Sequence, residues 1–153
     1  MIELGCNAPD FTLQDQEGEV HTLSAYQGKY VLLYFYPKDD TPGCTKEACA
    51  IRDVFPDFKK VNAVVFGISA DTVASHKKFA EKYTLPFTLL ADPEKKAVNA
   101  YGVWGLKKFM GREYEGVFRS SFLISPEGKI VKIYENVKPE VHAAEVLEDI
   151  RAL

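Results

Sequence analysis

The 153-residue sequence is poor in the features that would settle its class at once. It has three cysteines, too few for a disulfide framework, and one tryptophan. Charge is nearly balanced, at −3 overall, with both signs interspersed. That excludes an electrostatic case for nucleic acid or an anionic membrane as partner. The longest strongly apolar run, Val31 to Tyr36, is far too short to cross a bilayer. Met1-Ile2-Glu3-Leu4 has no basic segment leading into an apolar one, so no export signal is visible and a cytoplasmic location is expected. No internal repeat, low-complexity tract or Ser/Gly-rich linker breaks the chain, and residues 1–153 are expected to form a single domain.

What is present is a soluble composition, 46% hydrophobic and 27% charged, in a chain long enough to bury a core without disulfides or metal. Phe11-Thr12-Leu13 and Val20 to Leu23 flank the turn-like Gln16-Glu17-Gly18-Glu19, an N-terminal hairpin. Tyr30 to Tyr36 reads as a central strand buried on both faces, ended by Pro37. Lys38 to Gly43 is a loop by composition. A helix is expected from Cys44 to about Phe55, with Ala48, Ile51 and Phe55 at helical spacing and Pro56 ending or kinking it.

Ala63 to Ile68 is a second buried strand, and Asp71 is the expected cap of a helix running through Tyr83. Phe87 to Leu90 is a short strand, and Asp92-Pro93 is expected to open a helix to about Tyr101. Gly102 to Gly116 reads as a loop rich in glycine and aromatics. Ser121 to Ile124 and Ile130 to Tyr134 flank a hairpin turn. Ala143, Val146, Leu147, Ile150 and Leu153 form the stripe of a final amphipathic helix. Strand–helix–strand crossovers require parallel neighbours, and the late hairpin adds an antiparallel edge. The expectation is a three-layer α/β domain around a mixed sheet, compatible with a thioredoxin-like fold but not unique to it.

Two of the cysteines, Cys44 and Cys49, share one short segment that follows a buried strand and opens a helix. Carboxyl ends of strands are where open α/β sheets bind ligands. The first turn of a helix offers free N–H groups and a positive dipole end, which favour an anion. A cysteine in such a place beside a cation is held more readily as thiolate, its nucleophilic form. By residue type and placement Cys44 is a reactive cysteine rather than a buried structural one.

Pro37, Thr41 and Cys44 match the peroxiredoxin pattern of Pro, three residues, Thr, two residues, Cys. The run Thr41-Pro42-Gly43-Cys44-Thr45-Lys46-Glu47-Ala48-Cys49 resembles the peroxiredoxin Q branch, also called bacterioferritin comigratory protein. The resemblance extends over nearly the whole chain, through Asn7 to Phe11, Gly67 to Asp71, Tyr101 to Trp104 and Arg119 to Ile124. It implies a thioredoxin-like α/β fold in the peroxiredoxin variant, a mixed central sheet flanked by helices with an N-terminal β-hairpin. It implies a thiol peroxidase for hydrogen peroxide and organic hydroperoxides. Cys44 would attack and become a sulfenic acid, and Cys49 would resolve it as an intramolecular disulfide. Thr41 would hold the peroxide, Arg119 would stabilise thiolate and transition state, and Pro37 would shield the site. Thioredoxin, sometimes glutaredoxin, would reduce the disulfide, with no haem, flavin or metal. A monomer is expected.

Plainer readings stand beside these. Cys49 could simply pack in mid-helix, and Arg119 alone reads equally well as a surface ion pair. Thr41 and Pro37 could only shape the loop. Glu47 could cap its own helix or, by the resemblance, belong to the family's polar network around the arginine; the helix-terminus role is the favoured reading, without a chemical role. Cys6 is a bystander, His21, His76 and His142 have surface or packing roles, and Trp104 is plain core or, by the resemblance, packs at the rim of the pocket. A thiol-disulfide oxidoreductase on the same fold would want Cys-x-x-Cys, whereas four residues separate Cys44 and Cys49. A metal-binding module would want a second ligand pair.

Overall fold

A computed structural model describes residues 2–153. The hairpin is β1 (Thr12–Asp15) and β2 (Val20–Thr22), followed by a short 3-10 turn, Leu23–Tyr26. Then come β3 (Tyr30–Phe35), α1 (Pro42–Asp53), α2 (Phe55–Lys60), β4 (Ala63–Ser69), α3 (Val73–Tyr83) and β5 (Thr88–Ala91). The remainder is α4 (Lys96–Ala100), β6 (Trp104–Phe109), β7 (Arg112–Val117), β8 (Ser120–Ile124), β9 (Ile130–Tyr134) and α5 (His142–Ala152). Seven strands form one sheet in the order β2-β1-β5-β4-β3-β8-β9. β3, β4 and β5 are parallel neighbours, while β8, β9 and the β1–β2 hairpin run antiparallel.

Alternation along the central strands sorts the core into two halves. Leu32 and Tyr34 of β3 and Val65 of β4 meet Ala48 and Ile51 of α1, Phe58 of α2, Phe79 of α3 and Val146 of α5. Val31, Leu33 and Phe35 point the other way, onto Ala97 and Val98 of α4 with Phe11 and Leu13. Both faces are covered, which is why β3 reads as an unbroken apolar run. Each fully buried Leu or Ile contributes roughly 1.5–3 kcal/mol.

Several boundaries differ from the sequence reading. α1 begins at Pro42 rather than Cys44, because proline fits the first helical position and its missing N–H is one the helix could not use. Val54 separates α1 from α2, with Pro56 inside the first turn of α2. Thr72, not Asp71, caps α3, accepting from the Ser75 N–H at 3.2 Å. The Asp92 carboxylate accepts from the N–H groups of Lys96 and Val98, so the helix after it starts only at Lys96. Residues 104–117 are not a loop but the β6–β7 hairpin, closed by Met110 and Gly111, both at positive φ. The α5 stripe ends at Ile150, and Leu153 is exposed.

Candidate active site

Thr41 is the N-cap of α1, which places Pro42, Gly43 and Cys44 in the first turn. The first helical hydrogen bond runs from Thr45 N–H to the Thr41 carbonyl, 2.8 Å. The Cys44 N–H therefore belongs to the set a helix cannot satisfy internally. Cys44, Glu47, Ala48 and Ile51 form the buried stripe of α1, and Cys44 is 1% exposed.

Arg119 arrives from a distant part of the chain through sheet register. β3 and β8 are antiparallel with Phe35 opposite Ser120, so one step further sets Arg119 beside the carboxyl end of β3. Arg119 Nη2 donates to Cys44 Sγ at 3.3 Å, and Nη1 donates to Glu47 Oε1 at 2.9 Å. Gly43 makes room for this: a Cβ there would lie 3.0 Å from Arg119 Nη2. Thr41 Oγ1 donates to the Lys38 carbonyl at 2.9 Å, which leaves its lone pairs free to accept. Pro37 is half-buried two residues beyond the end of β3.

Thus Cys44 and Arg119 are in contact, and Thr41 sits at the cap of the helix that carries Cys44. Cys49 is half-buried in the same helix, and Cys6, Cys44 and Cys49 are all free thiols.

The sequence reading of Glu47 needs correction. Glu47 is 1% exposed and sits in mid-helix against Arg119, not at a solvated terminus. Burial pushes its carboxyl up to about 7 despite the opposing pull of Arg119. Burial disfavours the Arg119 cation, but Cys44 and Glu47 together hold it above its usual range. Tyr34, fully buried below, is pushed well above the ordinary phenol range by burial, then by Glu47 and Cys44, so it stays neutral. Lys107 of β6 is pulled down by burial and by Arg119, and it donates to the Val117 carbonyl at 3.0 Å. The arginine network, the less favoured of the two readings of Glu47, is the one the structure shows, whereas nothing in the sequence pointed to Lys107, whose place depends on pairing across the fold.

Other expectations resolve more simply. His76 and His142 are buried and hydrogen-bonded, while His21 pairs with Asp15 at 2.7 Å. Trp104 packs with the Leu33 side of the sheet, on the face opposite Cys44, and Lys95 lies 4.6 Å over its ring. Asp39, Asp71 and His76 bring three ligand-type atoms within 4.8 Å of one another. Each of those atoms is already engaged in hydrogen bonds within the protein.

Comparison with known proteins places this arrangement. The AhpC/TSA family matches residues 4–133. Peroxiredoxin Bcp of Bacillus subtilis is 50% identical over 150 residues, covering 98% of this chain and 96% of its own. Peroxiredoxin Bcp of Escherichia coli K12 is 46% identical over 146 residues, covering 95% and 94%. Among solved structures, Xanthomonas campestris bacterioferritin comigratory protein, studied for alkyl peroxide reduction, superposes with a TM-score of 0.90 at 37% identity. That match covers 99% of this chain and 97% of the other. A peroxiredoxin Q of Xylella fastidiosa reaches a TM-score of 0.94 at 34% identity, covering 99% and 97%.

Proposed function

This chain belongs to the AhpC/TSA family as a Bcp-type peroxiredoxin, a thiol-dependent peroxidase, and from that premise we propose that Cys44 is the attacking thiolate. The observation that carries the assignment is the 3.3 Å contact between Cys44 Sγ and Arg119 Nη2 at the start of α1. The thiolate attacks the terminal oxygen of a hydroperoxide, the O–O bond breaks, and the other oxygen leaves as hydroxide or alkoxide and takes up a proton. Negative charge moves from sulfur to the leaving oxygen. Arg119 and the free Cys44 N–H are donors aimed at that region. Thr41 Oγ1 accepts from the peroxide O–H, and Pro37 covers the site.

Cys44 is left as sulfenic acid. Cys49 thiol condenses with it, giving a disulfide and one water. Five residues along an α-helix rise roughly 7.5 Å and turn roughly 140°, which sets the two Cα atoms about 8–9 Å apart. A disulfide needs them within about 7 Å, side chains facing. Because α1 holds both residues, its first turns must unwind for the disulfide to form. A dithiol partner of the thioredoxin or glutaredoxin class then restores both thiols. Hydrogen peroxide and alkyl hydroperoxides are the substrates. Cys44, Thr41, Arg119 and Cys49 lie on one chain, so a monomer suffices. We place it in the cytoplasm, and no described helix is long and apolar enough to cross a membrane.

The test is NADPH oxidation coupled through thioredoxin reductase and thioredoxin to peroxide. Cys44→Ser abolishes turnover, Cys6→Ser leaves it nearly intact, and Cys49→Ser stops the thioredoxin-dependent cycle while the first peroxide attack persists. Activity retained by Cys44→Ser would sink the assignment.

A further inference from the structure

The loop that precedes α1 is fixed from below by a buried polar cluster that the peroxidase chemistry does not use. Two consecutive loop residues, Asp39 and Asp40, are its attachment points. The Asp39 main-chain N–H donates to Asp71 Oδ2 at 2.9 Å, and Asp71 Oδ2 also accepts from Ser69 Oγ at 2.6 Å. The Asp39 carboxylate accepts from Tyr36 O–H at 2.6 Å on one oxygen and from Ser75 Oγ at 2.8 Å on the other. Asp40, at φ +57°, accepts from Lys82 Nζ at 2.8 Å and Tyr83 O–H at 2.7 Å. The side-chain partners are Tyr36 just after β3, Ser69 at the end of β4, Asp71 just beyond it, and residues of α3; none is on α1.

His76 of α3 completes the cluster and is fully buried. Its Nε2 is 2.9 Å from the Leu90 carbonyl. A carbonyl only accepts, so Nε2 carries a hydrogen. Its Nδ1 is 2.7 Å from Asp39 Oδ2, the oxygen already taking the Ser75 hydroxyl. A bare Nδ1 facing an ionised Asp39 would set two acceptors against each other, so a proton lies between them; the Tyr36 and Ser75 hydroxyls, both donating to Asp39, favour its carboxylate form and leave that proton on the ring. Two carboxylates, Asp39 and Asp71, face this one ring, Tyr36 meets it as a neutral phenol, and Lys82 is committed to Asp40. A buried ion pair persists when the remaining lone pairs are satisfied, and here Tyr36 and Ser75 satisfy those of Asp39.

We propose that His76 is an imidazolium ion, and that its ion pair with Asp39 makes these two positioning residues for peroxide reduction. They hold the loop carrying Pro37 and Thr41 on α3, independently of α1. α1 then unwinds to bring Cys44 to Cys49 without dragging the peroxide-binding loop with it. When the disulfide is reduced, α1 refolds against a loop that never moved. This rests on the assignment of Thr41 to the peroxide.

Two measurements test it. Nitrogen-15 NMR of the histidine rings in the reduced protein shows both His76 nitrogens protonated; one bare nitrogen overturns the proposal. In Asp39→Asn, stopped-flow peroxide attack on Cys44 slows roughly 10–100-fold, as expected for a misplaced loop. Its turnover under limiting thioredoxin stays near wild type, so the loss falls on kcat/KM for peroxide. An unchanged attack rate in folded Asp39→Asn overturns the proposal. Should Asp39→Asn not fold, His76→Gln, which keeps a donor toward Asp39 but no charge, is read the same way. Failure of the underlying peroxidase assignment is separate: it shows as activity in Cys44→Ser and leaves the nitrogen-15 result untouched.

Discussion

Gly43 and Arg119 share one small space, and on the proposed mechanism peroxide attack depends on how they divide it. Glycine inside a helix costs roughly 0.5–1 kcal/mol relative to alanine. Here the absent Cβ leaves room for the guanidinium, which a Cβ would meet at 3.0 Å. Gly43→Ala is therefore expected to leave thermal stability equal or slightly higher while peroxide attack slows, because Arg119 is displaced from Sγ. A melting curve beside a stopped-flow rate checks both halves. Arg119→Met removes one donor from the developing charge, a loss of roughly 10²–10³ in rate. The variant still folds, because Glu47, already raised to about 7, keeps its proton when its cation is gone. An unchanged attack rate would remove Arg119 from the mechanism.

At the scale of elements, the proposed cycle gives α1 two incompatible duties. It would be helical to present Cys44 to peroxide and unwound to join Cys44 to Cys49. Hydrogen exchange should show amides 44–50 protected in the reduced form and exposed in the oxidised form. Equal protection in both, with a mapped 44–49 disulfide, would refute this. Cys49→Ser should leave sulfenic acid waiting and raise sulfinic acid yield at high peroxide, read by mass spectrometry.

The elements that frame this event were legible in sequence because their signals are local: the apolar run of β3, Pro42-Gly43 before Cys44, and the turn between β8 and β9. The β6–β7 hairpin was hidden because its strands bury little, with Leu106, Phe109 and Tyr114 exposed, so no alternating apolar pattern forms. Its one cue was Gly111, second residue of the two-residue turn, which takes positive φ without strain. Favouring a helix-terminus role for Glu47 over the arginine network has a different cause. The arginine lies 72 residues away and is delivered by β3–β8 register, which no local pattern encodes.

For the molecule as a whole, Glu47 ties folding to acidity. Its carboxyl sits at about 7 in the folded chain against an ordinary 4.5. With the folded value raised, the native state binds more protons between those limits. Its contribution is complete below about 4.5 and is lost as pH climbs through about 7. The difference amounts to something on the order of 3 kcal/mol. Asp92, raised by burial, adds to the same slope. Asp15 is lowered overall, its links to His21 and to the Glu17 and Glu19 amides outweighing burial, so its contribution falls away in acid instead. Urea unfolding from pH 4.5 to 7.5 should show stability falling in wild type and a flatter profile in Glu47→Gln. Parallel profiles would reject the account. Core packing is tested apart from charge by Ile51→Ala, which empties a fully buried position under β3 and should cost roughly 2–5 kcal/mol.

The near-complete burial of Cys44 also sorts electrophiles by size. A peroxide is a few atoms across and needs only the donors already in place, whereas an aromatic disulfide or a maleimide must bring its bulk to a sulfur with almost no open surface. The most nucleophilic thiol of the protein should then be the slowest to take up bulky labels. Cys6 and Cys49, both half-buried, should be modified first. Timed labelling of the reduced protein followed by peptide mapping would display this inverted order, and a brief peroxide pulse beforehand would remove Cys49 from the early-labelled set. The chain would thereby answer oxidants while ignoring much of the other thiol-reactive chemistry around it.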